Sequence, residues 1–220
     1  MRVRLVALAT LLFLVGAPVL AAEWTAIDRA LAELDQVIGH YPPAITSDKQ
    51  LRSVTAQYEK TKATLDKAVA ARPNDPDALL RRGQLQAMGH NLDVPGAFNG
   101  AERDFATILN ADPTNERAIL DLANMWVNSG PEKAPRAEKL YRAVQCLHDA
   151  KPAEEAQRGL FFAFFYQGLI EEAKRQAEFL VAQWPEVKIY RDLDGIAGSA
   201  LERQGTPRRP DQPPTMVACK

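Results

Sequence analysis

Residues 168–185 read GLIEEAKRQAEFLVAQWP. Gly168 breaks the chain ahead of this stretch, and Trp184-Pro185 closes it. Between the breakers, Ala173 and Ala177 stand four apart on one helical face, and Glu171-Glu172 fall in the first turn, where carboxylates complement the helix dipole. The spacing predicts a helix over 170–184. The stretch before it, 153–167, opens after Lys151-Pro152 and carries FFAFFY, and the stretch after it, 188–203, places Ile189, Leu193, Ile196, Ala197 and Leu201 on one face. Two short links join the three segments, so consecutive helices are expected to lie antiparallel.

Working outward, the same period fills the chain. Trp24, Ile27, Leu31, Leu34 and Ile38 step by three and four until Gly39 and Pro42-Pro43, and Leu51, Val54, Tyr58, Leu65 and Val69 form a second stripe ended by Arg72-Pro73-Asn74-Asp75. Further helices are predicted over 77–89, 97–111, 115–129 and 134–149, separated by Pro95-Gly96, Asp112-Pro113 and Gly130-Pro131. No stretch alternates for long as a strand does. Of the 220 residues, 46% are hydrophobic and 25% charged, which suits a folded chain, and a net charge of −1 argues against nucleic-acid binding by bulk electrostatics. Two cysteines cannot staple a chain of this length, so a buried apolar core must hold it.

Pro73, Pro113, Pro152 and Pro185 close successive helix pairs at intervals of 40, 39 and 33 residues, a period that means stacked helical hairpins. Leu79 and Gly83, followed by Ala101-Glu-Arg-Asp-Phe105 and Pro113, make the first repeat. Arg82 stands where the pattern has Leu, and the turn around Asn91–Gly96 is longer. Ile119, Leu122, Ala123 and Trp126 with Ala137 and Tyr141 make the second, and Leu160, Phe161 and Phe164 with Gly168, Ala173, Ala177 and Pro185 make the third. In these positions the chain resembles the tetratricopeptide repeat (TPR) family. The resemblance covers residues 76–187 and, more loosely, 24–203. It implies an all-α solenoid of antiparallel helical hairpins with a C-terminal capping helix. Small residues at the crossings (Ala101, Ala137 and Ala173 facing Gly83 and Ala123) let helices approach to about 8–10 Å. Phe161 occupies one such small position, so either this hairpin is splayed or Ala177 opposite makes room. No single hairpin buries enough apolar surface to offset its ordering, so each must lean on its neighbours.

The ends read differently. Residues 1–22 combine Arg2 and Arg4 with an apolar run from Leu5 to Ala17, then Pro18 and small residues at 21 and 22, which is the pattern of a secretory signal. The run is too short for a comfortable membrane span, so the membrane enters only if this segment stays uncleaved as an anchor. A periplasmic location is expected. Residues 23–75 form a degenerate N-terminal hairpin, 188–204 the capping helix and 205–220 a Pro-rich tail. Cys146 and Cys219 are a possible pair in an oxidising compartment, and a half-buried Cys146 with a free or intermolecular Cys219 is the alternative.

Candidate chemistry is sparse. Cys146 and His148 are two apart on a helix and diverge, so His148 is expected to satisfy helix-end carbonyls. Glu102 and Asp104 are also two apart and are read as a solvated face. His40, His90 and His148 make no ligand pattern, and neither a cofactor nor a metal is implied. One cluster stands out. If Gly168 marks the turn, Phe162, Phe165 and Tyr166 fall on the face that lines a TPR groove, with Asn124 and Asn128 from the second repeat, Gln84 and Met88 from the first, and Arg81, Arg117 and Arg158 near the edge. The alternative is that FFAFFY is core packed under the capping helix, as is expected for Phe161 and Phe164. Rings give contact area and amides hold a peptide backbone. Leu80 and Gln84 stand where the family's chaperone-type carboxylate clamp has Lys and Asn, so that ligand class is not implied. The reading that follows is an exported scaffold or adaptor, not an enzyme, that binds a protein or peptide in its groove. An accessory domain of a cell-wall enzyme and a self-assembling structural module are the alternatives.

Overall fold

The computed structural model describes residues 16–148 and 151–204. Among these residues there are nine helices and no strand: α1 (Gly16–Ile38), α2 (Asp48–Ala71), α3 (Pro76–His90), α4 (Ala97–Ala111), α5 (Glu116–Val127), α6 (Ala134–Leu147), α7 (Glu154–Tyr166), α8 (Ile170–Gln183) and α9 (Lys188–Gln204). Consecutive helices pack as hairpins, giving an all-α, solenoid-like array in which α9 closes the C-terminal end. Residues 1–15 of the expected signal and the 205–220 tail lie outside the described residues, as does Cys219 of the possible cysteine pair. Residues 16–22 are helical backbone continuous with the rest of α1. No helix among the described residues is long and apolar enough to cross a membrane.

Local chemistry sets the boundaries. Ser47 caps α2 by accepting the Gln50 amide at 3.2 Å, and Asn115 caps α5 by accepting from Ala118 at 3.1 Å. Asp75 caps α3 and is followed by Pro76 at the first helical position, where a missing N–H costs nothing. Gly168 takes φ +75° in the turn between α7 and α8, a backbone conformation that side chains disfavour.

The core runs through the array in three patches. The first joins α1, α2 and α3 around Leu34, Tyr58 and Leu65, the second joins α2 to α5 around Leu79, Ala101 and Phe105, and the third joins α5 to α9 around Tyr141, Phe161 and Leu180. Trp24 packs against the first two patches, and Leu109, Trp126 and Leu140 pack against the second and third. Each patch therefore shares boundary side chains with the next, as stacked hairpins require. Ala101, Ala137 and Ala173 are fully buried at the crossings, and Phe161 shares a patch with Ala177. A Cβ on Gly83 would stand 2.6 Å from the Phe105 ring, so glycine is what lets α3 close on α4.

The structure corrects two expectations. Asp104 is buried rather than solvated: Arg82 Nε and Nη2 donate to its two oxygens at 2.8 and 2.6 Å, and Gln86 Nε2 donates at 2.8 Å. Arg82, the departure from Leu in the first repeat, is thus the half-buried partner of the buried Asp104 in an ion pair between α3 and α4. Glu102 is half-buried and accepts from the Trp126 indole at 2.5 Å. His148, which follows α6, does not cap carbonyls through its side chain; its Nε2 lies 2.9 Å from Glu116 at the start of α5.

Candidate functional site

The odd-numbered helices build one long cavity of about 770 Å³. α1 contributes Leu31 and Asp35, α3 Gln84 and Met88, α5 Arg117, Asp121 and Asn124, α7 Glu155, Arg158 and Phe162, and α9 Ile189. Only Phe105 and Tyr141 reach it from the even-numbered helices. This division follows from the hairpin: each pair turns one helix to the hollow side and one to the outside.

Five of the seven residues singled out from the sequence meet here: Gln84, Asn124, Asn128, Arg158 and Phe162. Phe165 and Tyr166 do not line the cavity. Phe165 turns back to stack on buried Phe161, with centroids 5.8 Å apart and planes at 20°. Tyr166 continues the Phe162 stripe at 6.3 Å, one turn past the cavity, and is exposed. Arg81 is also elsewhere. It binds Asp28 at 2.6 and 3.1 Å and covers the Trp24 ring, fastening α3 to α1.

Two polar ties cross the hollow side. In the first, Gln84 Nε2 donates to Asp121 Oδ2 at 2.7 Å, and Arg117 holds the same carboxylate at 2.9 and 3.1 Å. In the second, Tyr141 donates to Asn124 Oδ1 at 2.7 Å, while Asn124 Nδ2 donates to Glu155 Oε1 at 3.0 Å. The first tie joins α3 to α5 and the second joins α5, α6 and α7. Burial raises the Asp121 pKa, opposed by the charge of Arg117 and the hydrogen bond from Gln84. Burial likewise raises the Tyr141 hydroxyl, with the Glu155 charge adding to it.

Sequence reasoning missed Asp121, Glu155 as a wall residue, and Tyr141 as a groove tie. Asp121 and Glu155 each lie three or four residues from Arg117, Asn124 or Arg158 on the same helical faces, a spacing that shares a face. Both carboxylates are paired, Asp121 with Arg117 and Gln84 and Glu155 with Asn124. Arg158 and Asn128 are exposed at the cavity and form no ion pair or side-chain hydrogen bond among the described residues. Among those residues, no three of His, Cys, Asp and Glu are grouped to hold a metal ion.

No protein-family model, no curated protein and no solved structure matches the chain.

Proposed function

We propose that this chain is an exported TPR-like scaffold that holds an extended stretch of a partner protein in its hollow side and serves as an adaptor or assembly factor in the bacterial envelope. One observation carries the reading: helices from separate hairpins converge on a groove of about 770 Å³ in which Asp121 and Glu155 are already tied, while Asn128, Arg158 and Phe162 remain open to a ligand. Committed walls with open amide, guanidinium and ring groups suit a peptide, whose backbone needs hydrogen bonds and whose side chains need contact area. The Arg-led apolar segment at residues 2–17 supports export.

Site-specific photo-crosslinking tests this in cells. A crosslinker replacing Asn128 should trap one discrete partner, and one replacing Ala106, exposed on α4, should not. Equal trapping at both positions, or none at Asn128, defeats the reading. N-terminal sequencing of the exported chain should find Ala22 or Glu23 first, and an intact Met1 would defeat the signal assignment.

A further inference from the structure

We infer that the groove selects an extended peptide bearing an acidic side chain two residues from a large apolar one, with the carboxylate on Arg158 and the apolar group between Phe162 and Ile189. This rests on the reading of the groove as a peptide site.

Charge decides the first half. Among the described residues two guanidinium groups, Arg117 and Arg158, line the cavity, and they are not equivalent. Arg117 is committed to Asp121 through two contacts, whereas Arg158 is exposed and forms no ion pair among the described residues. The acids on α5 and α7 nearest to Arg158 in the sequence or on the wall already have partners, Glu154 among them through the Tyr190 hydroxyl. Asp121 is taken by Arg117 and Gln84, Glu155 accepts from Asn124, and Asp35 stands across the groove on α1. An open guanidinium offers a planar fork that matches a carboxylate in bidentate fashion.

Packing decides the second half. Phe162 is half-buried and held in place, edge-on to Phe161 at 5.2 Å and stacked with Tyr166 at 6.3 Å. Ile189 faces the same cavity from α9 and is 51% exposed, which is apolar area that a ligand side chain would cover. Arg158 and Phe162 are one turn apart on α7, so their attachment points are separated by about 6 Å along the axis. Alternate residues of an extended chain are about 6.6 Å apart and project to the same side. For a peptide that runs along α7, the two lengths match when the acidic and apolar side chains are two residues apart.

Fluorescence anisotropy of the purified protein with labelled, acetylated and amidated hexapeptides tests this. The probes carry Leu at the second position and either Glu or Gln at the fourth. The Glu peptide should bind about tenfold more tightly, in line with one charge-assisted contact. Arg158→Gln should bring the pair level, and Phe162→Ala should weaken both alike. Moving Glu to the third position should abolish its advantage. A Gln peptide with a free C-terminal acid should bind as weakly as its amide; if it matches the Glu peptide, the terminal carboxylate is the ligand and the inference falls. Equal binding of Glu and Gln peptides, or a preference that survives Arg158→Gln, also overturns it while leaving the groove reading intact. Binding of none of the probes overturns it as well, and the crosslink at Asn128 then decides separately whether the groove reading falls too.

Discussion

The Tyr141 hydroxyl on α6 reaches through the array to hold Asn124 on α5, at 2.7 Å, and so fixes the direction in which that groove amide donates. Tyr141 is itself fully buried, so an outer-row ring sets the polarity of the hollow side. Tyr141→Phe keeps the ring and removes only this tie. It should cost about 1 kcal/mol, which for a chain of this size lowers the melting temperature by roughly 2–4 °C. Helical content by circular dichroism should be unchanged. A variant that melts with the parent would show that Asn124 is oriented by Glu155 alone.

Two glycines on different helices should respond with opposite signs to the same added methyl. A Cβ on Gly159 would run into the Tyr141 ring, and ring and backbone have little freedom to part. Gly159→Ala is expected to destabilise by about 1–3 kcal/mol through overpacking. Gly195 lies within α9 with nothing within 4 Å of the position a Cβ would take. There, alanine should stabilise by about 0.5–1 kcal/mol, its advantage over glycine in a helix interior. Urea unfolding of the two variants checks both signs.

The Arg82–Asp104 pair should be costly to break by halves. Arg82→Leu leaves the buried Asp104 with Gln86 as its remaining donor, and a loss of about 3–5 kcal/mol is expected. Arg82→Leu combined with Asp104→Leu removes both charges and should recover much of that loss. A double variant no more stable than the single would mean that the pair specifies the α3–α4 crossing itself and does more than neutralise charge.

Asp121 gives the stability a definite pH trend. Because burial raises its folded pKa above the ordinary 3.8, the folded chain keeps this proton at pH values where the unfolded chain has lost it. Its contribution is most favourable below the ordinary value. It declines as pH rises through the raised folded value and is level above that. Asp121→Asn removes the titration. The unfolding free energy of the variant, measured relative to the parent from about pH 4 to pH 7, should therefore increase with pH and then flatten. A difference that decreases with pH would mean that Arg117 and Gln84 outweigh burial.

Much of the architecture was legible because periodicity and breakers agree. The stripe Leu51–Val69 and its stop at Arg72-Pro73 mark α2 (Asp48–Ala71), and Pro95-Gly96 marks the start of α4 at Ala97. The Arg82–Asp104 ion pair was harder to see, since its members are 22 residues apart and meet only when the hairpin closes. A signal existed all the same: Asp104 shares the face of Ala101 and Ile108, three and four residues away, which places a carboxylate on the core side. The FFAFFY segment divided as helical geometry demands. Phe161 and Phe164 went inward, Phe162 went to the groove, and Phe165 was drawn off by stacking on Phe161, a pairing that spacing alone does not choose.

Trp24 belongs to two packed patches at once and lies under the guanidinium groups of Arg81 and Arg72, at 4.7 and 5.6 Å. The front of the folded domain is thus anchored to side chains more than forty residues downstream and is not spare length. An affinity tag or fusion partner joined directly ahead of it would compete for that space unless a spacer intervened.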